Sequence, residues 1–157
     1  MEYTFVKHAA AKPEQVFDAI ADVDGFQHWM KGIVGVEKLT EGEFGVGTRF
    51  AETRKFFGMK ATEIFEVTAF EPGRSMSLQC DGSEGSMGKG MFYSNFSVEP
   101  DGEGTKLTHA FRAEMPPPRG CMALFARSME KQMKKALDKD MDAMVAYAEG
   151  VSESRQL

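Results

Sequence analysis

The sequence predicts an α+β domain in which a curved antiparallel sheet of about seven strands wraps around one long C-terminal helix. Two observations predict this fold. Residues 33–113 alternate short extended runs with turn-forming breaks, which is typical of consecutive strands. The last third of the chain carries apolar residues at steps of three to four, which is typical of an amphipathic helix. A sheet with one apolar face and a helix with one apolar stripe bury both by packing together, and unfilled space between them becomes a cavity.

The N-terminal segment predicts one strand followed by two short helices. Residues 3–6 form a short extended run. Pro13 suits the first position of a helix, because the N–H group that proline lacks would have no partner there. Asp24 followed three residues later by Gln27 has the form of a capping box, and it predicts a second short helix that Gly32 ends.

Six further strands are predicted between residues 33 and 113, and the short turns between them set the register. Residues that face each other across an antiparallel pair share one face of the sheet. We take Phe57-Gly58 and Pro72-Gly73 as two-residue loops. The predicted inward-facing pairs are Phe50–Phe65, Glu52–Glu63 and Arg54–Ala61, then Phe65–Cys80, Val67–Leu78 and Ala69–Met76, and finally Phe92–Ala113, Ser94–Phe111, Phe96–His109 and Val98–Leu107.

The C-terminal part of the chain predicts a single long helix. Residues 115–120 contain three consecutive prolines and cannot be helical in their middle. The charged residues of the following helix are mixed in sign and predict a solvated outer face, on which we place Asp140. Its apolar stripe consists of Phe125, Met129, Met133, Leu137, Met141, Met144 and Ala148.

Composition and charge restrict the classes of function. The 157 residues, 42% of them hydrophobic, suffice for one domain. The net charge of -5 argues against nucleic acid as a partner, because its phosphates select a basic surface. No apolar run is long enough to span a membrane, and the start of the chain lacks the basic residues of a signal peptide, so we expect no membrane insertion and a cytoplasmic location.

Several strings of residues, together with the order of the elements, resemble one known superfamily. Each string is weak alone, but together they span nearly the whole chain. They are residues 11–17 (AKPEQVF) with Asp22 and Trp29, residues 47–50 (GTRF), residues 66–73 (EVTAFEPG) and residues 104–109 (GTKLTH).

The sequence resembles the START-like superfamily, also called SRPBCC, whose helix-grip fold is shared by polyketide cyclases and dehydrases, lipid carriers and Bet v 1-like allergens. The resemblance implies a single START-like ligand-binding domain over residues 1–150, with a frayed tail at 151–157. It also implies a deep apolar cavity between the sheet and the C-terminal helix that receives a hydrophobic or aromatic small molecule. Catalytic residues differ between branches of the superfamily, so no catalytic residue is assigned.

The register places charged residues on the apolar inner face of the sheet. Glu52 faces Glu63, and Arg54 lies diagonally across the pair. Two carboxylates away from water cannot both be ionised cheaply, so this arrangement predicts a raised pKa or neutralisation by Arg54. The group would then serve acid/base chemistry or anchor a ligand. The alternative is a sheet end, or a register shifted by one residue, that leaves these charges in water.

His109 is predicted to face inward beside Phe96 and Phe111. It could orient a ligand, move a proton near neutral pH, or simply form part of the cavity wall. The three histidines share no metal-ligand spacing, so we predict neither a metal site nor a cofactor.

The remaining ligand contacts are predicted to be apolar. Phenylalanine fills volume, and the flexible side chain of methionine adapts to the outline of a ligand. The glycine-rich segment 82–90 lacks the features of a phosphate-binding loop and predicts either a gate near the cavity entrance or a plain connection. The predicted apolar ligand contacts are Phe65, Met76, Phe92, Phe96, Phe111, Met129 and Met133.

Three functions are compatible with these features. The first is binding or transport of a hydrophobic or aromatic small molecule, such as a lipid or a polyketide. The second is a metal-free enzyme of the polyketide cyclase or dehydrase type, in which Glu52, Glu63 and His109 move protons. The third, which the resemblance to another branch of the superfamily implies, is regulation of a protein partner such as a heat-shock ATPase.

Overall fold

The structure, a computed structural model, describes residues 1–56 and 58–155 of the chain, without the side chains of residues 56 and 151–155. Within these residues the chain forms a seven-stranded antiparallel sheet in the order β1-β7-β6-β5-β4-β3-β2. The elements are β1 (Glu2–Ala9), α1 (Pro13–Ala21), α2 (Phe26–Trp29), β2 (Ile33–Lys38), β3 (Arg49–Phe56), β4 (Met59–Glu71), β5 (Ser75–Asp81), β6 (Met91–Asp101), β7 (Gly104–Glu114) and α3 (Met122–Arg155).

The predicted α+β helix-grip architecture is confirmed: the curved sheet packs against the long helix α3, and two short helices follow β1. Along β5 and β7 buried side chains alternate with half-buried ones, because one face of the sheet is turned to the core. Most of the close backbone approaches between α3 and other elements are to α1 and β1. The interior between the sheet and α3 is therefore closed on one side by β1 and α1.

The register of the first and last predicted hairpins is confirmed. On β3 and β4, Glu52 is paired with Glu63, and on β6 and β7, Phe96 is paired with His109. Phe57, which we placed in the first hairpin loop, lies outside the described residues. The agreement extends along both hairpins, since a slip of one residue in either would turn its apolar side chains to the outer face.

The prediction for the hairpin of β4 and β5 is correct at one end and wrong near its turn. Phe65 faces Cys80 and Val67 faces Leu78, as expected, but Met76 faces Phe70 instead of Ala69. A β-bulge lies between Val67 and Ala69, and the connecting loop spans three residues, 72–74, instead of two. The extra loop residue and the bulge compensate each other, so the distant part of the ladder keeps the predicted register.

The cap of the second helical segment also differs from the prediction. Asp22 caps the 3₁₀ turn that precedes α2: the Gly25 N–H donates to its Oδ1 at 3.2 Å. The side chain of Gln27 donates to the backbone carbonyl oxygen of Asp24 at 3.2 Å, so Asp24 does not act as a side-chain cap. The predicted capping box is wrong because this helical segment begins with a 3₁₀ turn, which moves the cap two residues upstream.

Salt bridges and a hydrogen bond attach α3 to β1. Lys7 lies between Asp138 and Asp142, with 2.8 Å from its Nζ to a carboxylate oxygen of each. Further along, the Tyr3 hydroxyl donates to Glu130 Oε1 at 2.5 Å. These contacts fix the helix against β1, which is an edge strand of the sheet. The tail predicted at 151–157 stays a prediction, because 156 and 157 and the side chains of 151–155 lie outside the described part of the chain.

Only the second half of the helical stripe is buried. Met141, Met144 and Ala148 belong to the core, whereas Phe125 and Met129 are more than half exposed. The proline-rich segment before α3 is exposed throughout, and most residues in the first turns of the helix are exposed as well. The apolar periodicity predicted the helix correctly, but it did not show which of its turns contact the sheet.

Candidate functional site

A cavity of about 440 Å³ lies between the inner face of the sheet and α3. Its wall is mostly apolar, and among the described residues seven of the 12 methionines line it. Methionine side chains are flexible, so such a wall can adapt to different ligand outlines. The apolar lining residues are Phe26, Met30, Phe50, Ala61, Phe65, Met76, Leu78, Met87, Phe92, Phe96, Phe111, Met129, Met133, Ala136, Leu137, Met141 and Met144.

Every residue that the sequence assigned to a ligand site lines this cavity. The inward orientation follows from the confirmed register for the strand residues and from the position of Met129 and Met133 on α3. That these residues contact a ligand stays a prediction. The set comprises Glu52, Arg54, Glu63, Phe65, Met76, Phe92, Phe96, His109, Phe111, Met129 and Met133.

Glu52, Arg54 and Asp140 form a buried ionic group at one part of the cavity wall. Nε of Arg54 lies 2.6 Å from Oε1 of Glu52, and its Nη2 lies 2.7 Å from Oδ2 of Asp140. Burial raises the pKa of both carboxyl groups, and Arg54 counteracts this shift. The two carboxylates in turn raise the pKa of Arg54 despite its burial, so the guanidinium stays charged.

Asp140 corrects one sequence prediction. We placed it on the solvated face of the helix, but it is buried and faces the cavity. Its spacing contained the signal: Asp140 follows Leu137 by three residues and precedes Met144 by four, so it lies on the apolar stripe. A lone acidic residue on such a stripe needs a buried cation, and Arg54 supplies it.

Glu63 has a different environment from Glu52, although the two face each other across β3 and β4. Its carboxylate accepts a hydrogen bond from the Ser86 N–H at 2.9 Å, and the Cys80 thiol donates to it at 3.9 Å. Burial is the largest influence and raises the pKa of Glu63, the negative charge of Glu52 raises it further, and the hydrogen bonds oppose the shift. All three predicted charged residues thus line the cavity, together with Asp140 as a fourth.

The glycine-rich segment 82–90 packs directly over Glu63. The Thr62 N–H donates to Oγ of Ser86 at 2.9 Å, and the Ser86 N–H donates to the Thr62 carbonyl oxygen at 3.0 Å, so the segment is tied to β4. At Gly85 an added Cβ would overlap with the Glu63 carboxylate and the Thr62 carbonyl oxygen, so the close approach requires glycine. Met87 of the same segment lines the cavity and is 46% exposed, which places it at the cavity opening. A gating role for this segment stays a prediction.

His109 lies inside the cavity wall, apart from the carboxyl groups. Its ring stacks on Phe96 with 4.1 Å between ring centroids, and its Nε2 lies 3.1 Å from Oγ of Ser94. Burial lowers its pKa to about 4, so the imidazole is neutral at physiological pH. Inward-facing side chains that are paired across neighbouring strands form rows over the sheet, and two such rows lie between the row of His109 and that of Glu63. The structure therefore does not bring His109 and Glu63 together as a proton-transfer group.

The sequence matches the family described as "Polyketide cyclase / dehydrase and lipid transport" over residues 2–149. The chain belongs to the polyketide cyclase / dehydrase and lipid transport family. This assignment confirms the superfamily resemblance, and the seven-stranded sheet gripping a long helix is the architecture expected of it. No curated protein matches the sequence.

Solved structures similar to this family member show the same fold at low sequence identity. The chain resembles TTHA0849 from Thermus thermophilus, with a TM-score of 0.80 and 17% identity over 97% of this chain and 99% of that one. It also resembles the Zhui aromatase/cyclase from Streptomyces sp. R1128, with a TM-score of 0.72 and 19% identity over 95% and 93% of the two chains. A START superfamily protein from Mycobacterium smegmatis gives a TM-score of 0.64 and 18% identity over 90% and 97%.

Trp29, one of the residues that carried the superfamily resemblance, packs outside the cavity of this family member. Its ring stacks on Tyr147 of α3, with 4.5 Å between centroids and an angle of 5° between the ring planes. The Tyr147 hydroxyl donates to Asp22 at 3.3 Å, so Trp29 lies in a contact between the α2 region and the helix. Trp29 therefore has a packing role in this structure. Among the described residues no helix is long and apolar enough to cross a membrane.

Sequence reasoning missed one further part of the lining, which the α2 region contributes. Phe26 and the adjacent Met30 are buried and reach the cavity, although the sequence predicted only that a short helix occurs here. Four residues are too few to define an apolar face by periodicity, so no signal in the sequence assigned them to the cavity.

Proposed function

We propose that this protein binds a hydrophobic or aromatic small molecule of the lipid or polyketide type in the cavity between the sheet and α3. The observation that carries the proposal is the apolar, methionine-rich wall of a cavity of about 440 Å³, a volume within the usual range of small-molecule sites. Family membership and the aromatase/cyclase among the similar structures support it.

A cavity-filling variant tests this proposal. Ala136 lines the cavity from α3, whereas Ala146 is exposed on the same helix. In Ala136→Trp the indole occupies ligand space, so binding of the neutral fluorescent probe N-phenyl-1-naphthylamine should weaken at least tenfold. Ala146→Trp should bind the probe like the unaltered protein. Equal binding by both variants, with circular dichroism showing both folded, would place the probe elsewhere and contradict the proposal.

The natural ligand can be sought directly by native mass spectrometry of gently purified protein. A mass above that of the denatured chain, lost on organic extraction, identifies a bound molecule and its chemical class. Under our proposal the extract contains an apolar or aromatic compound in stoichiometric amount. A polar metabolite in the extract would contradict the proposal.

A second candidate function is a metal-free cyclase or dehydrase, and the carboxyl groups in the cavity favour it. Burial holds the pKa of Glu63 above its ordinary value, which suits a general acid or base near neutral pH. In a dehydration, the Glu63 carboxylate would take the proton α to a ketone, and the enolate so formed would expel the β-hydroxyl group. The protonated carboxyl group would return the same proton to the departing oxygen, so that one water leaves and the carboxylate is regenerated.

Substitution of Glu63 separates the two functions. With an aryl β-hydroxyketone as probe substrate, Glu63→Gln should abolish the loss of one water if the protein is an enzyme. For a carrier the unaltered protein binds the probe without converting it, and Glu63→Gln changes only the affinity. Glu66→Gln on the outer face of the same strand is the matched control and should change neither quantity.

A further inference from the structure

The charged side chains on the cavity wall carry a net negative charge, and this charge restricts the ligands that the cavity can bind. Among the described residues three carboxyl groups, those of Glu52, Glu63 and Asp140, line the cavity together with one guanidinium, that of Arg54. Even with one carboxyl group protonated, this cluster keeps a net negative charge. Lys131, Lys134 and Lys135 are exposed on α3 and do not line the cavity, so they provide no compensation inside it.

The positive charge of Arg54 is already paired within the protein and is not available to a ligand anion. Its guanidinium contacts Glu52 at 2.6 Å and Asp140 at 2.7 Å, so two carboxylates already share one positive charge. A fatty-acid carboxylate or a phosphate entering the cavity would add a third negative group in surroundings of low polarity. Charges attract and repel more strongly there than in water, and the new anion would find no free counter-ion.

Glu52 also offers an acceptor that the protein does not use. Its Oε1 is paired with Arg54, but no hydrogen bond from the residues that the structure describes reaches its Oε2. The side chain is only 8% exposed and lines the cavity. A carboxylate oxygen without a donor in such apolar surroundings costs free energy, and a ligand that brings a donor recovers it.

We propose that the cavity selects an amphiphile whose polar end is a protonated amine, which binds Glu52 beside Arg54, and that it excludes carboxylate-ended and phosphate-ended lipids of similar size. The apolar wall holds the body of the ligand, and the carboxyl groups hold its charged end. This inference rests on the proposed function, because it needs a ligand in the same cavity.

Three ligands of equal chain length test the inference: dodecylamine, dodecanol and dodecanoate. Each is titrated at pH 7.5 and 0.15 M salt against the protein loaded with N-phenyl-1-naphthylamine. We expect the amine to displace the probe at a concentration at least tenfold below that of dodecanoate, with the alcohol between them. Glu52→Gln should reduce this preference at least threefold, whereas Glu66→Gln on the outer face of β4 should preserve it.

The outcomes separate this inference from the function on which it rests. If dodecanoate competes as well as the amine, the inference is wrong and hydrophobic binding stands. An amine preference that persists undiminished in Glu52→Gln would come from the negative charge of the protein as a whole, and it would also overturn the inference. If the neutral probe itself does not bind in the cavity, the proposed function fails and the inference fails with it.

Discussion

Arg54 on β3 and Asp140 on α3 form a buried ion pair, with 2.7 Å between Nη2 and Oδ2, that joins the sheet to the helix across the cavity wall. The same guanidinium holds Glu52 of its own strand. One cation therefore neutralises charge on both layers of the fold. Its loss would leave two carboxylates without a partner in an apolar interior, and breaking a buried pair on one side is strongly destabilising.

Arg54→Met should lower the free energy of unfolding by about 3 kcal/mol at pH 7.5, as measured by urea denaturation. The pKa of Glu52 and of Asp140 is raised in the folded protein, so the native state binds protons more readily than the unfolded chain. Lower pH therefore favours the native state of the variant, and the loss should shrink toward pH 5. Arg74→Met, at an exposed ion pair with Glu71, should cost less than about 0.5 kcal/mol. Equal losses in both variants would contradict the role of Arg54.

His109→Phe should remove part of the acid sensitivity of the protein. Because burial lowers the pKa of His109 from 6.5 to about 4, the unfolded chain binds a proton at a pH where the native state does not. Stability is therefore lost as pH falls from about 6.5 to about 4. Between pH 7.5 and pH 4.5 the variant should lose about 2.5 kcal/mol less than the unaltered protein. The two proteins should change equally between pH 8 and pH 7.5, and parallel curves down to pH 4.5 would refute the prediction.

Gly85→Ala should displace the segment 82–90 from β4. The added methyl group would overlap with the Glu63 carboxylate, so the hydrogen bond from the Ser86 N–H must lengthen or break. We expect a loss of about 2 kcal/mol in a urea titration. The matched control is Gly45→Ala, since an added Cβ at Gly45 meets no atom within 4 Å. If Gly85→Ala is no less stable than Gly45→Ala, the close packing of this segment is wrong.

Asp22→Ala should destabilise the protein by about 1 kcal/mol, because Asp22 caps the 3₁₀ turn before α2 and also accepts a hydrogen bond from Tyr147. The sequence had indicated Asp24 as the capping residue. Asp24→Ala should cost less than about 0.5 kcal/mol, since only its backbone carbonyl accepts a hydrogen bond from Gln27. Thermal denaturation of the two variants in the same buffer shows which aspartate is the cap. A larger loss of stability for Asp24→Ala than for Asp22→Ala would contradict the structure and support Asp24.

The sequence by itself determined the order of the elements and the inner face of the sheet, because both depend on local rules. Side chains alternate strictly along a strand, so one assumed two-residue loop was enough to pair Glu52 with Glu63. Matching the apolar residues of the last two strands was enough to pair Phe96 with His109. The same rule assigned the charged residues to the cavity wall before any contact was known. It failed at Ala69, where a bulge and a longer loop changed the register locally.

Only the tertiary structure decided which groups meet across the cavity. The pairing of Arg54 with Asp140 depends on where α3 crosses the sheet, and helical periodicity does not contain that position. The exposure of Met129 and the burial of Met144 have the same cause, because the stripe is continuous in the sequence while its contact with the sheet is not. The volume of the cavity and the net charge of its wall depend on side chains that are far apart in the chain. Both therefore follow from packing between the layers of the fold and not from a local pattern.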